Sequence, residues 1–515
     1  MNKQIKRAFY IVFTLGIVFI IATISINIFL KNKLESFVNE RLPKNMIRSY
    51  DAITVESFGG SLSITNASLI IKNKTDSLKH TFINVEKLKI SHISYWDYLF
   101  KDEIHIETIS VENPIMAYYK DRVVPSTDTV NKGIIDIYKP IFVKNIRIDN
   151  SKFVIYEKGK DSTKLYTKGL SVAVTGIKID KNTVRRKIPM IFDNYKATSD
   201  SVFVKVSPYE NLTVKDFALE NTVAIFKNLR LHTKYSKTQL SKIITTERDH
   251  YDLTLKKVTV EGINFGFNNR QFFAQSKKVS LTAPSLEIYR DKLAADDLKT
   301  KPLYSKMLRE LPFELTVNSL RIEDAKIKYE ERVKAENMGG SITFNNLNAA
   351  ISNLSNTYKS PEKTTIKIEA NFMDSTPISV DWSFDVNNKQ DAFLFQGTLG
   401  TLAANKMNNF TEPNLKVRLE GKTNKTFFTI DGNNSTSTTN MKISYSDFKV
   451  KILQQDGRKK NTVLSAIANI FISKNSTENG DSYKKGVAEA KRDKSKSVFN
   501  FLWISIKAAL TKIMI

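Results

Sequence analysis

The stretch Val317-Asn318-Ser319-Leu320-Arg321-Ile322-Glu323-Asp324-Ala325-Lys326-Ile327-Lys328-Tyr329 decides the fold. Its apolar or small residues fall at Val317, Leu320, Ile322, Ala325, Ile327 and Tyr329, so the steps are three, two, three, two and two. Steps of two are strand alternation with one apolar face. A step of three keeps that face inward only if an extra residue is absorbed in a bulge or tight bend. The frame returns from Ile106 (Ile109, Val111, Pro114, Met116, Tyr118) and from Val143 (Ile146, Ile148, Ser151, Phe153, Ile155). It returns again from Val214 (Phe217, Leu219, Thr222, Ala224, Phe226) and from Leu255 (Val258, Val260, Ile263, Phe265, Phe267). A weaker copy starts at Val85 (Leu88, Ile90, Ile93, Tyr95) and loses its last apolar position at Asp97. The second step of three carries a turn dipeptide: Glu112-Asn113, Asp149-Asn150, Glu220-Asn221, Glu261-Gly262 or Glu323-Asp324. Such residues tolerate turn conformations and bond their own backbone. The spacing therefore predicts one bent strand pair built repeatedly, always with one apolar face, and stacked repeats make long continuous surfaces.

The copies start at uneven intervals, so insertions interrupt the repeat. A second echo points to duplication: Gly59-Gly60-Ser61-Leu62-Ser63-Ile64 is similar to Gly339-Gly340-Ser341-Ile342-Thr343-Phe344. The chain has 515 residues, room for several ordinary domains, yet no Pro/Gly/Ser-rich linker divides it. One β body from residue 51 to 460 is the expectation. The absence of cysteine excludes disulfides, thiolate metal sites and thiol nucleophiles.

The run that begins at Ala8 and ends at Leu30 has no charged residue. At ~1.5 Å per residue, a helix of its 23 residues would be roughly 34 Å long and could cross a bilayer. Lys3, Lys6 and Arg7 precede it, favouring a cytoplasmic N-terminus. The run exceeds a signal-peptide core, and no Ala-x-Ala-like site follows. Residues 1–31 are thus expected to be a cytoplasmic tip and an uncleaved anchor in the inner membrane, with the body in the periplasm. The net charge of +26 raises the question of nucleic acid. The lysines are scattered, however, and the body lies beyond the membrane, so no nucleic-acid partner is expected.

Within residues 32–50, Leu34, Phe37, Val38 and Leu42 have helical spacing, giving a short amphipathic helix that caps the β body or lies on the membrane. Leu303, Leu308 and Leu311 mark a brief helix between two prolines. From residue 364 to 453, alternating runs separated by turns such as Asp431-Gly432 read as an antiparallel meander. Residues 461–515 are expected to hold helices around a mobile basic loop. Leu464, Ile467, Ala468 and Phe471 form one stripe, the polar stretch from Lys474 to Lys496 is the loop, and a last helix follows from Val498. The spacing puts Phe499, Leu502, Trp503, Ile506, Leu510 and Ile513 on one face of that helix, which either plugs the end of a groove or contacts a membrane.

Catalytic motifs are missing. The five histidines are dispersed, and there is no nucleophile elbow, phosphate-binding loop or dinucleotide fingerprint. Asp249-His250 reads as part of a charged loop, and Asp296-Asp297 and Glu330-Glu331 as surface charge. No enzyme, metal or cofactor is expected.

The opening Val55-Glu56-Ser57-Phe58-Gly59-Gly60-Ser61-Leu62-Ser63-Ile64, after an anchor and short helix, resembles that of the AsmA-like envelope proteins. The stretches from Ile90 to Leu99, Ile109 to Pro114 and Leu320 to Tyr329, and the run towards Val450, fit the same pattern. The resemblance implies a mostly β, elongated, twisted antiparallel half-pipe related to bridge-like lipid transfer proteins. Its groove would be lined by Ile109, Val111, Ile146, Ile148, Phe153, Phe217, Leu219, Val258, Val260, Phe265, Leu320, Ile322 and Ile327. The implied ligand is a phospholipid or other envelope lipid, and the implied role is lipid transport and outer-membrane biogenesis. The outer membrane or an envelope protein would meet the C-terminal end. Physics leads to the same ligand, because an uncovered apolar sheet face must be buried against something. The alternatives are a scaffold for outer-membrane proteins that pairs through strand edges, or a closed sandwich with a dry core.

Overall fold

Strand alternation runs through most of the chain, and the computed structural model is accordingly 58% strand and 17% helix. It describes residues 3–36, 39–40, 43–124, 139–159, 162–186, 188–268, 271–453, 475–476 and 483–514. These form two compact units, residues 1–206 with 213–221 and residues 207–212 with 222–515.

The first unit opens with helix α1 (Lys3–Ser36). Its part from Gly16 to Ser36 is long and apolar enough to cross a membrane. Strands β1 (Met46–Ser49), β2 (Ala52–Glu56), β3 (Ser61–Lys72) and β4 (Lys79–Ile93) follow, then a short helix α2 (Tyr95–Phe100). Next come β5 (Ile104–Glu112), β6 (Ile115–Tyr119), β7 (Ile141–Tyr156), β8 (Thr163–Ile179), β9 (Asn194–Lys205) and β10 (Glu210–Glu220).

The second unit continues with β11 (Val223–Thr233), α3 (Lys237–Ile243), β12 (Asp249–Glu261), β13 (Asn264–Asn268), β14 (Gln271–Thr282) and β15 (Ser285–Asp291). After α4 (Tyr304–Arg309) come β16 (Glu314–Arg332), β17 (Gly340–Ser355), β18 (Thr364–Phe372), β19 (Thr376–Phe384), β20 (Phe393–Leu399) and β21 (Leu402–Ala403). Helix α5 (Asn408–Leu415), β22 (Val417–Gly432), β23 (Thr436–Ile452), β24 (Lys484–Lys491) and α6 (Val498–Met514) complete it.

Among the described residues the strand ladders are antiparallel except at one junction in each unit, where β5 and β6 run parallel to β7, and β14 and β15 run parallel to β16; one isolated parallel bridge joins Thr246 and Ala295. A parallel neighbour needs a long crossover. In sequence, residues 120–140 separate β6 from β7 in the first unit, and residues 292–313, which include α4, separate β15 from β16 in the second. The two junctions share their detail. Asn113-Pro114 breaks β5 from β6 beside Asp149-Asn150, and Ala283-Pro284 breaks β14 from β15 beside Glu323-Asp324. The N–H before each proline donates to the acidic residue's carbonyl, Asn113 to Asp149 at 3.0 Å and Ala283 to Glu323 at 2.9 Å. Each proline carbonyl then accepts from beyond the bend, from Lys152 at 2.9 Å and Lys326 at 2.8 Å.

The second step of three is a left-handed residue, as the turn dipeptides predict: φ is 48° at Asn113, 51° at Asn150, 66° at Gly262 and 53° at Asp324. Asn, Asp and Gly accept this conformation at the least cost. The register shifts there, and the next frame residue, Ser151 or Ala325, is buried. The first step of three is met on the partner strand by Gly176 (φ 65°) in β8 and Asn353 (φ 57°) in β17. Those strands also step by three, from Ile177 to Val174 and from Leu354 to Ile351, so the kink crosses strand to strand.

Other expectations need correction. The Val214 copy is a chain reversal and not a bend: Asn221-Thr222 is a two-residue turn, and Lys234 N–H returns to the Tyr209 carbonyl at 2.9 Å. The Gly59 and Gly339 echoes, in contrast, both lead into the return strand of an antiparallel hairpin, β2–β3 and β16–β17, and each is followed by a left-handed asparagine, Asn66 or Asn346, with φ of 48° at both. In the helix expected over 32–50, Leu34 belongs to the end of α1, while Phe37, Val38 and Leu42 lie outside the described residues. Residues 46–49 of that segment are strand β1, paired with β3. The stripe Leu464, Ile467, Ala468 and Phe471 also lies outside the described residues. Within the expected loop from Lys474 to Lys496, β24 pairs with β23. Its inward residues Gly486, Ala488 and Ala490 are too small for the alternation to read as apolar.

Candidate functional site

The registers line up the frame residues of neighbouring strands into rows. In the first unit one row reads Leu62, Ile90, Ile109, Ile146, Val174, Tyr195 across β3, β4, β5, β7, β8 and β9. The next reads Ile64, Leu88, Val111, Ile148, Val172, Ala197 across the same strands. Between them, on the other face, lies Ser63, Lys89, Ser110, Arg147, Ala173, Lys196. One face is thus free of charge across six strands and the opposite one carries the cations, as period-two alternation requires. Every member of the two apolar rows is half-buried. In this unit α1 packs beside β2 and α2 beside β5. Burial pushes the Tyr195 hydroxyl up, so the end of the row stays neutral.

The second unit repeats this and then closes it. A row runs Ala224, Val260, Val279, Leu320, Ile351, Ile366, Trp382, Phe395, Ile430 from β11 to β22. Its neighbour runs Phe226, Val258, Leu281, Ile322, Ala349, Ile368, Val380. Beyond the bend, Leu231, Leu253, Leu286, Ile327, Phe344 and Phe372 form a third. Along the first of these rows, Leu320, Ile351 and Ile366 are half-buried, whereas Trp382 is 6% exposed and Ile430 is 0%. The change comes where α4 and α6 lie over the sheet. Leu303, Val498, Phe501, Leu502, Ala509 and Ile513 join Trp382, Phe428, Ile430, Met441, Ile443 and Tyr445 in one core.

Where the cap begins, α4 and the sheet border an open apolar pocket of about 290 Å³ lined by Tyr304, Met307, Leu308, Ile351, Leu354, Ile366 and Phe384. Helix α4 is held there by ions. Asp391, 2% exposed at its side chain, accepts from Arg309 Nη2 at 2.8 Å and Ser305 Oγ at 2.9 Å. Residue 496, just before α6, is similarly tied: Lys496 Nζ lies 3.0 Å from the buried Glu247 and 2.7 Å from Asp296.

The structure brings together Ile109, Val111, Ile146 and Ile148 in the first unit, and Val258, Val260, Leu320, Ile322 and Ile327 in the second, as the frame predicts. Phe153 pairs with Met116 and Thr167 on the far side of the bend. Phe217 and Leu219 lie half-buried on β10. Phe265 pairs with Ala274 and is 42% exposed. The six residues expected on one face of α6 divide. Leu502 and Ile513 are buried and Ile506 and Leu510 partly so, but Phe499 is 63% exposed and Trp503 44%. The buried stripe is Val498, Phe501, Leu502, Ser505, Ala509 and Ile513, in which a serine and an alanine hold inward positions that hydrophobicity does not mark. Row members Val172, Val174 and Ile351 escape the frame because β8 and β17 carry their left-handed residues at other spacings, at Gly169, Gly176, Asn346 and Asn353.

Asp249 and His250 open strand β12 and do not lie in a loop, so consecutive side chains leave opposite faces. Asp249 takes both Arg290 bonds at 2.6 and 2.7 Å, and His250 Nε2 lies 2.9 Å from the Tyr235 carbonyl. Asp296 meets Lys496, Glu330 meets Lys237 at 3.2 Å, and Glu331 accepts from the Tyr329 hydroxyl at 2.6 Å. Asp249, Asp296 and Glu330 are thus in ion pairs, and His250 and Glu331 in hydrogen bonds. No protein-family model matches the chain, and no curated protein matches it.

Proposed function

We propose that the chain is a membrane-anchored lipid-binding protein whose apolar sheet face receives phospholipid acyl chains, and that it supports phospholipid movement between envelope membranes from a periplasmic body. The observation that carries this reading is the pair of six-strand rows in the first unit. They are apolar throughout, half-buried, and backed by Lys89, Arg147 and Lys196 on the other face. Large contiguous apolar faces on soluble folds mark interaction sites. Rows whose one side-chain hydrogen-bonding group is the Tyr195 hydroxyl bind by area more than by directed contacts, which suits hydrocarbon chains of varied length. The role is to bind and conduct, with direction set by the lipid's chemical potential at each end.

Lipid extraction from the purified full chain tests this. Several phospholipids per chain are expected to co-purify, and Ile148→Glu together with Ile322→Asp is expected to remove most of them while the circular dichroism stays that of a β protein. Full retention of lipid by the folded variant would sink the reading and leave the scaffold alternative.

A further inference from the structure

Helix α2 is turned inside out. Its carboxylate faces inward: the Asp97 side chain is 15% exposed, 2.8 Å from Lys101 Nζ and 4.0 Å from His105 Nδ1. Its large apolar side chains face outward, with Trp96 65% exposed, Leu99 69% and Phe100 68%. A helix on a water-facing surface has the reverse arrangement. The patch is ordered in advance, since the Trp96 and Phe100 rings lie 4.3 Å apart. A second exposed aromatic, Phe58 (81%), projects from the turn between β2 and β3, and the Tyr95 hydroxyl joins α2 to that turn by donating to the Ser57 carbonyl at 2.8 Å.

The turn in its turn is fastened to the membrane-length part of α1. Ser57 N–H donates to Asn27 Oδ1 at 2.7 Å, and the Phe58 ring meets Phe19 edge-on at 5.8 Å. Whatever touches that length of α1 is at the depth of lipid. Lysines stand at the rim, as headgroup contact favours: Lys139 Nζ lies 3.8 Å from the Tyr98 ring centre and 3.0 Å from Asp102.

We propose that Phe58 and the Trp96, Leu99 and Phe100 face of α2 are seated in the bilayer that α1 crosses, in the leaflet on the side of the β body. The seat adjoins the apolar face directly, because Ile93 N–H donates to the Gly60 carbonyl at 2.9 Å and Ile93 pairs with Ile106. If the rows bind acyl chains, which is the reading above, the seat is where chains pass from bilayer to protein; its existence does not depend on that use.

The chain has no cysteine, so single-cysteine labelling has no background. Phe58→Cys, Leu99→Cys, Ile148→Cys and the control Lys158→Cys, at the far end of β7, would each carry an environment-sensitive fluorophore on the full chain. The chain would be held in nanodiscs of phosphatidylethanolamine and phosphatidylglycerol containing chain-doxyl phosphatidylcholine. Labels at 58 and 99 are expected to be quenched about twofold or more relative to the one at 158, with blue-shifted emission. If 58 and 99 behave as 158 does, the seat is wrong, whatever 148 shows. Quenching at 58 and 99 but not at 148 upholds the seat and counts against acyl chains in the rows. All four positions are surface or half-exposed, so the labels leave the core intact.

Discussion

The two units share a bent, parallel-paired strand motif and differ in what covers it. In the first, the rows around Ile109 and Ile148 stay half-buried, and both clusters of buried apolar side chains among the described residues belong to the second. In the second, the same kind of row passes from half-buried Leu320 to fully buried Ile430 under α4 and α6. Among the described residues, the same kind of sheet face thus occurs in two states, as a dry core under α4 and α6 and as half-buried rows in the first unit. Protein supplies the apolar partner in one region; under the proposed function, acyl chains would supply it in the other.

Removing the cap's central anchor should break the contrast most strongly. Phe501→Ala deletes a ring 1% exposed and is expected to cost about 3–5 kcal/mol, read as faster hydrogen exchange in β22 and β23. Freeing α4 should come close: Asp391→Ala leaves Arg309 and Ser305 without their buried acceptor and is expected to cost about 3 kcal/mol or more in denaturant unfolding. A matched pair sharpens the comparison. Ile430→Ala is expected to lose about 2–5 kcal/mol, whereas Ile148→Ala, half-exposed in the open row, is expected to lose about 1 kcal/mol. Equal losses would mean that the open face is packed as tightly as the core.

The bend itself should respond more weakly. Asn150→Ala places a β-carbon on a left-handed residue and deletes the bond from Asn150 Nδ2 to Asn113 Oδ1 (2.7 Å), for about 1–2 kcal/mol, while Asn150→Gly should cost less. The smallest effect is a pH term. Bidentate bonds from Arg230 hold the Asp252 carboxylate below its ordinary pKa. A depressed folded pKa stabilises above the unfolded value, near 3.9, and the benefit fades as pH falls through the lower folded value. With both groups a third or more exposed, under about 1 kcal/mol is at stake, and Asp252→Asn should remove it from the acid limb of the stability–pH curve, below about pH 4.

The bends were legible because Asn, Asp and Gly at left-handed positions leave a residue signature. Asn113, Asn150, Gly262 and Asp324 carry it. Asn221 has the same signature in a reversal, since a left-handed residue serves a hairpin as well as a bulge and local spacing does not tell which. The parallel junctions were hidden because they depend on where a crossover returns, a long-range fact. The cap was only half visible: α6 reads as an apolar helix, but its inward Ser505 and Ala509 fit because the sheet comes close there, and Gly486 lies where a β-carbon would be 2.6 Å from Ile513. The inverted polarity of α2 could be seen in Tyr95-Trp96-Asp97-Tyr98-Leu99-Phe100 only once the fold had shown which way Asp97 turns.

Photo-crosslinking in native membranes tests the central claim most directly, with a benzophenone side chain placed in turn at Ile109, Ile146 and Val174 on the apolar row and at Ser110, Arg147 and Ala173 on the opposite face. The account expects phospholipid adducts at the three row positions and none at the other three. Adducts on both faces alike, or on neither, would contradict it.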